Sequence, residues 1–327
     1  MLTFVAAIVV GLFLLIWSAD RFVEGASSIA RIMGISPLIV GMVIVGLGTS
    51  APEMLVSATA ALQGNPAMGI GNAIGSNITN ITLVLGLTAM FYVLPVHSRM
   101  LKQEIPLVLT SAVLAWWLMA DGYFSRIDGI ILIICMIALL IWMLLLAKKD
   151  KHFHDPLIDE TIGELPEKMP LKHSVIWTLA GLLLLLISSK LLVWGASNIA
   201  SLMGISDLII GLTIVAIGTS LPELAATISS ARKGETDLAV GNIVGSNLFN
   251  TLAVLAIPAL IQPIEIPKEV LDRDIIVMFV LTLVLLVFSY GILKQGRYKI
   301  TRLNGVVLFL AFIAYELLLY YQTMQPQ

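Results

Sequence analysis

The sequence is poor in charge and nearly without cysteine. Only 12% of its 327 residues are Asp, Glu, Lys or Arg, about half the share of a soluble domain. The single cysteine, Cys135, excludes an internal disulfide and, set among Ile and Met, reads as an inert thiol. A net charge of -2 is small and says nothing about nucleic acid, which is not expected as a partner. The opening residues, MLTFVAAIVVGLFLLIW, lack a basic stretch before the apolar run and a small-residue cleavage site after it, so they are expected to form a spanning helix rather than a removed signal. The apolar segments hold no His/Glu zinc pair, no nucleophile with a base and no paired aspartates, which argues against an enzyme and against a cofactor.

What the sequence has in excess is apolar length. Hydrophobic residues make up 58% and the mean hydropathy is +0.98. Blocks such as Leu2 to Trp17, Gly129 to Ala147 and Ile275 to Tyr290 approach the roughly 20 residues that cross a bilayer. The expectation is an all-α membrane protein with the lipid bilayer as its solvent. Ten helices are expected, at Leu2–Ile32, Ser36–Leu62, Pro66–Leu94, Glu104–Ala120, Ile127–Ala147, Ser174–Leu202, Ser206–Ala231, Thr236–Ile261, Asp274–Leu293 and Leu303–Tyr321, with Gly and Pro marking the breaks.

The chain also repeats itself. GISPLIVGMVIVGLGTSAPE…GNAIGSNITNITLVLGL, spanning about 34–87, aligns without a gap on GISDLIIGLTIVAIGTSLPE…GNIVGSNLFNTLAVLAI, about 204–257. The match extends upstream (VEGASSIARIMG against VWGASNIASLMG) and downstream, making a unit of five helices. Five is odd, so the second unit enters the membrane from the opposite side, the inverted topology of many secondary transporters. The units are expected at 1–147 and 173–327, joined by a polar linker at 148–172. Ten helices place Lys148, Lys149, Lys172, Arg232, Lys233, Lys294 and Arg297 on one side, and Arg126, Lys268 and Arg273 on the other. The positive-inside rule then makes the linker cytoplasmic and puts both termini outside. His152 and His154 in the linker read as a solvated surface, not a metal site.

Two polar islands recur in each repeat. In Gly48-Thr49-Ser50-Ala51-Pro52-Glu53 a carboxylate stands mid-membrane, where it is costly and by default marks an ion path. Pro52 removes a backbone donor, so the helix is expected to break and free carbonyls near Gly46 and Leu47. Thr219, Ser220, Pro222 and Glu223 repeat the pattern, with Ala216 in the place of Gly46. The second island sets Ser76 and Asn80 on one helix face, as it does Ser246 and Asn250, while Gly71 and Gly75 form a small-xxx-small pair for close helix approach. Hydroxyls, amides, carbonyls and carboxylates are an oxygen-only set suited to hard cations. Two glutamates supply the charge of one Ca²⁺. For either island alone, a kinked and tightly packed helix remains the plain alternative. Asp20, Arg21, Glu24 and Lys190 lie within helices and are expected to pair locally or reach the interface; Glu316, Tyr315, Tyr320 and Tyr321 read as an interfacial belt.

GLGTSAPE with GNAIGSNITN, and AIGTSLPE with GNIVGSNLFN, resemble the two alpha-repeats of the sodium/calcium exchangers, in their short prokaryotic form. The resemblance implies a first and a sixth helix that are long, tilted and slide across a fixed core. It implies exchange of Na⁺ for Ca²⁺ by alternating access, in the inner membrane of a prokaryote, by a chain functional as a monomer. It assigns metal ligands to Thr49, Ser50, Glu53, Ser76 and Asn80, to Thr219, Ser220, Glu223, Ser246 and Asn250, and to the backbone carbonyls of Gly46 and Ala216. One departure stands out: where such exchangers often carry an aspartate, this chain has Asn250. A calcium/proton antiporter is the alternative, although that branch usually shows a glutamate where Gly75 and Gly245 stand here. A channel and a non-transporting sensor are less well matched by paired half-sites in one chain.

Overall fold

The computed structural model describes residues 1–96, 100–150, 169–203, 216–290 and 298–324, with the backbone alone for 147–150, 216 and 322–324. Most of the linker, with His152 and His154, lies outside the described residues, as does 204–215, the first half of the expected seventh helix.

Among the described residues ten helical segments follow one another. They are α1 (Leu2–Met33), α2 (Pro37–Leu62), α3 (Pro66–Phe91), α4 (100–119), α5 (Arg126–Asp150), α6 (Leu171–Leu202), α7 (216–232), α8 (Thr236–Ile261), α9 (270–290) and α10 (Arg302–Met324). Seven of them, all but α4, α7 and α9, are long and apolar enough to cross a membrane by themselves. The ends follow the turn chemistry. Gly34 closes α1 in a left-handed conformation (φ 64°), while Asn65 caps α3 by accepting the Met68 N–H at 3.3 Å, with Pro66 in its first turn.

Four two-residue strands, which the sequence did not suggest, fix the topology. β1 (Leu94–Pro95) pairs antiparallel with β4 (Lys299–Ile300), and β2 (Tyr123–Phe124) with β3 (Ile264–Glu265). Paired strands share a membrane face, so an even number of spans must separate them. Six helices, α4 to α9, lie between β1 and β4, and four, α5 to α8, between β2 and β3. A helix missed or invented between the partners would break this parity. β1 and β3 each follow the third helix of a unit, and β2 and β4 each precede the fifth, so exchanging the two units maps one ribbon onto the other. This is the pseudo-two-fold of an inverted repeat. The ribbons staple one unit to the other at both faces.

Helices α1 and α6 stand apart. At 32 residues each they extend about 48 Å, well beyond the ~30 Å of hydrocarbon, which requires tilt. They pack against each other along their length: a Cβ on Gly25 would lie 2.6 Å from the Thr178 nitrogen, and one on Gly181 2.6 Å from that of Phe22. The main apolar core, built around Ile70, Ile74, Ile78 and Ile81 of α3 with Val240, Ile243, Val244 and Phe249 of α8, contains no residue of α1 or α6 among those described. The pair meets the rest of the protein through two smaller clusters, Phe22, Val23, Ala26 and Ala30 against Val40, Val45, Ala226 and Leu238, and Leu15, Ala19 and Leu185 against Leu221 and Ala225.

The sequence-level charges sort out on this frame. Asp20 accepts from the Ser229 hydroxyl at 2.5 Å and pairs with Arg232, and Lys233 donates to the Asp20 carbonyl at 2.7 Å. Arg31 and Ser27 reach Glu235 at 3.6 and 2.6 Å. Arg21 pairs with Glu24 at 2.8 Å and lies over the rings of Trp17 and Trp177. Local pairing therefore accounts for Arg21 and Glu24, whereas Asp20 and Arg31 pair across to residues of the second repeat, and Lys190 is exposed. Tyr315 departs from the expected belt: it is partly buried and donates to Asp274 at 2.9 Å. Cys135 is half-buried on α5.

Candidate ion-binding site

Both α2 and α7 break at the same residue. Ser50 (φ -80°, ψ 3°) and Ser220 (φ -90°, ψ 4°) leave helical geometry, and Pro52 and Pro222 sit in the first turn of the half-helix that follows. Proline is tolerated there because first-turn donors have no intrahelical partner. Its missing N–H is a loss for the carbonyl four residues back, and in the second repeat that carbonyl, Gly218, takes the Ser189 hydroxyl of α6 at 2.8 Å instead. The carbonyl of Gly46 is not stripped of its backbone partner, contrary to expectation: it keeps the Ser50 N–H at 3.0 Å. Its second lone pair faces the hydroxyls of Thr49 and Ser246, each at 3.4 Å. Ala216 opens the short half-helix Ala216–Thr219 at the matching place.

The break puts Glu53 and Glu223 in the first turn of a half-helix, where the positive end of the helix dipole favours a carboxylate. Each is 1% exposed. The two repeats interlock around them. The Ser50 hydroxyl lies 3.4 Å from Glu223 Oε1. Thr49 Oγ1 lies 3.2 Å from Asn242 Oδ1 and 3.5 Å from Ser246 Oγ, besides donating back to Val45 at 3.0 Å.

Helices α3 and α8 close the cage from the other two sides. Each changes to a π-helical turn at its key asparagine, Asn80–Val84 and Asn250–Val254; such turns are frequent at functional sites. Asn80 Nδ2 donates to Asn247 Oδ1 at 3.3 Å, and Asn77 Nδ2 to Thr251 Oγ1 at 2.8 Å. Ser76 is 5% exposed, and Ser246 and Asn250 are fully buried; Thr219 is partly exposed. Several buried oxygens have no hydrogen-bond partner among the described residues: Glu53 Oε2, Glu223 Oε2, Ser220 Oγ, Asn80 Oδ1 and Asn250 Oδ1. Unpaired buried acceptors are costly, and carboxylate, amide and hydroxyl oxygens are the ligand types that suit a hard cation.

Sequence reasoning passed over four asparagines of these islands. Asn72 donates to the Glu53 carbonyl at 3.1 Å and to Ser57 Oγ at 3.0 Å; Asn242 donates to the Glu223 carbonyl at 3.2 Å and to Thr227 Oγ1 at 2.8 Å. Asn77 and Asn247 link α3 to α8. The signal was available, since Asn72, Ser76 and Asn80 recur at steps of four along one helix face, as do their counterparts in α8. Of the two repeated glycine pairs read as close-approach points, only the second behaves so. Gly241 and Gly245 make the close approach, where an added Cβ would lie 2.6 Å from Leu38 O and 2.4 Å from Met42 O, whereas Gly71 is exposed.

The sodium/calcium exchanger protein family model matches residues 3–145 and 173–321. The chain belongs to the sodium/calcium exchanger family. A candidate antiporter of Alkalimonas amylolytica, CaxA, is 50% identical over 96% of this chain and 97% of its own. The inner membrane protein YrbG of Escherichia coli is 40% identical over 98% of each chain. Among solved structures, the sodium-calcium exchanger NCX_Mj, soaked with Na⁺ and Sr²⁺, superposes with a TM-score of 0.81 at 33% identity, covering 96% of this chain and 97% of that one. Members of the family are integral membrane transporters rather than enzymes, and cation/calcium exchange is the activity that comes with membership.

Proposed function

We propose that this exchanger moves Na⁺ against Ca²⁺ by alternating access, binding both ions in the cage between α2, α3, α7 and α8. The observation that carries this reading is the meeting of Ser50 with Glu223 at 3.4 Å, one residue from each repeat, beside two buried glutamates with unpartnered oxygens. Glu53 and Glu223 supply two negative charges, enough to neutralise one Ca²⁺. Thr49, Ser50, Ser76 and Asn80, with Thr219, Ser220, Ser246 and Asn250, add neutral oxygens, as do the carbonyls of Gly46 and Ala216. Oxygen ligands of this kind suit Ca²⁺ and Na⁺ and not thiophilic metals. The separate α1/α6 pair is the natural moving part, since it shares no residue with the main core. In this reading α1 and α6 slide across a fixed core formed by the remaining helices of the two five-helix units, 1–147 and 173–327. The 148–172 linker faces the cytoplasm, the termini face outward, the chain works as a monomer, and it resides in a prokaryotic inner membrane.

The test is ⁴⁵Ca²⁺ uptake into proteoliposomes of the purified full chain. Uptake driven by an outward Na⁺ gradient at constant pH supports the reading. Uptake driven by a pH gradient and indifferent to Na⁺ overturns it in favour of a calcium/proton antiporter.

A further inference from the structure

Asn242 is held in one orientation from two directions. Its two amide hydrogens are both used, on the Glu223 carbonyl at 3.2 Å and on the Thr227 hydroxyl at 2.8 Å. Turning the amide over would set its oxygen against the Glu223 carbonyl, with no proton between them. The oxygen is therefore committed to the other side, where it meets Thr49 Oγ1 of the opposite repeat at 3.2 Å. Asn72 repeats the lock in the first unit, with its hydrogens on the Glu53 carbonyl at 3.1 Å and Ser57 Oγ at 3.0 Å.

The oxygens around Asn242 outnumber their protons. Thr49 has one hydroxyl hydrogen, and its shortest acceptor is Val45 O at 3.0 Å. That one hydrogen has three acceptors within reach, Val45 O at 3.0 Å, Asn242 Oδ1 at 3.2 Å and Gly46 O at 3.4 Å, so two of them go without it at any moment. Ser246 Oγ stands 3.5 Å from Thr49 Oγ1 and 3.4 Å from Gly46 O, which is itself 3.4 Å from Thr49 Oγ1. Oxygens coordinating a cation at about 2.4 Å lie about 3.4 Å apart along the edges of an octahedron, whereas a Mg²⁺-sized ion at about 2.1 Å draws them to about 3.0 Å. The observed separations of 3.2–3.5 Å match the larger ion. All four oxygens are neutral, which favours one positive charge over two.

We propose that Asn242 is a further specificity-determining residue of the exchange reaction: its amide, locked by Glu223 and Thr227, presents Oδ1 as a fixed neutral ligand for Na⁺ beside Gly46, Thr49 and Ser246. Thr227 is a positioning residue for that oxygen. This assignment rests on the Na⁺/Ca²⁺ reading above.

The experiment separates Na⁺ from Ca²⁺ in the same proteoliposomes. Na⁺-driven ⁴⁵Ca²⁺ uptake gives the half-saturating Na⁺, and ⁴⁵Ca²⁺ exchange against unlabelled Ca²⁺ without Na⁺ gives the half-saturating Ca²⁺. For Asn242→Ala the half-saturating Na⁺ rises at least about fivefold while that for Ca²⁺ changes less than about twofold. Thr227→Val, which keeps the shape and removes one acceptor, shifts Na⁺ in the same direction by a smaller factor. Unchanged Na⁺ dependence, or equal shifts for both ions, overturns the proposal. If Asn242→Ala does not purify as a folded protein, Asn242→Leu, close in shape and without a ligand oxygen, decides by the same split. A wild type that takes up Ca²⁺ under a pH gradient alone overturns the underlying reading and this assignment with it. A wild type that exchanges Na⁺ while the variants show no split overturns only the assignment.

Discussion

Ser50 of the first repeat lies 3.4 Å from the Glu223 carboxylate of the second, so the proposed site draws on both repeats. The cage exists only where the two broken helices meet, and it brings two buried carboxylates into one small space. Replacing either glutamate removes half of the charge available to a divalent ion. Glu53→Gln and Glu223→Gln are each expected to reduce ⁴⁵Ca²⁺ flux at least about 100-fold, while both variants still elute as monodisperse folded protein. Normal exchange by both would remove the ion site from these residues.

Asn250 is fully buried, and its amide oxygen has no partner among the described residues. Asn250→Asp keeps the shape and adds a titratable charge. The expected outcome is retained Ca²⁺ transport with an altered dependence on pH or Na⁺, read from uptake rates measured across both. Superimposable profiles for variant and wild type would count against a place for Asn250 in the cage.

Pro52 and Pro222 sit in the first turn after the breaks at Ser50 and Ser220. Pro52→Ala restores a backbone donor facing the Gly48 carbonyl and lets α2 continue through Ser50. Thermal stability is expected to hold or rise, because the strain against helix continuity is relieved, while exchange falls at least about tenfold as Thr49 and Ser50 rotate away from Glu223. Wild-type flux in a Pro52→Ala, Pro222→Ala double variant would show that the breaks are not required.

Equivalent glycines are not equivalent in packing. On Gly245 a Cβ would lie 2.4 Å from the Met42 carbonyl, part of a buried backbone that cannot yield cheaply, and on Gly71 it would meet nothing within 4 Å among the described residues. Gly245→Ala is expected to cost about 1–3 kcal/mol through overpacking, whereas Gly71→Ala is expected to be neutral or to gain about 0.5–1 kcal/mol in helix propensity. Melting curves in detergent give the comparison, and equal Tm changes would contradict it.

Asp20 and Arg232 join α1 to the end of α7, and Arg31 with Glu235 adds a second link at the same membrane face. The Asp20–Arg232 pair is partly solvent-exposed, so its contribution to global stability is expected to be under about 1 kcal/mol. Its local effect is larger, because α1 shares no residue with the main core. Asp20→Asn is expected to leave Tm nearly unchanged and to speed hydrogen exchange along 18–31 relative to α3; unchanged exchange there would show that other contacts fix α1.

Much of this protein is written in its sequence. Apolar runs of bilayer length declare helices because lipid leaves the backbone no other partner, and the repeated islands declare a site because a carboxylate at mid-membrane depth needs a reason. Pro52 and Pro222 announce the breaks, since a missing N–H is a local covalent fact. The odd helix count of the repeat gives the inversion. Other features belong to the tertiary structure alone. The β1–β4 and β2–β3 ribbons are two residues per strand, too short for any periodicity to reveal. The pairing of Asp20 with Arg232 joins residues far apart in the chain. Gly71 and Gly245 look alike in sequence and differ only in what lies opposite them. The locked orientation of Asn242, and through it the meeting of Gly46, Thr49 and Ser246 in one cluster of oxygens, is likewise decided by distance. Residue type announces which atoms are able to hold an ion, but only the packing of one repeat against the other brings them within 3.5 Å of each other.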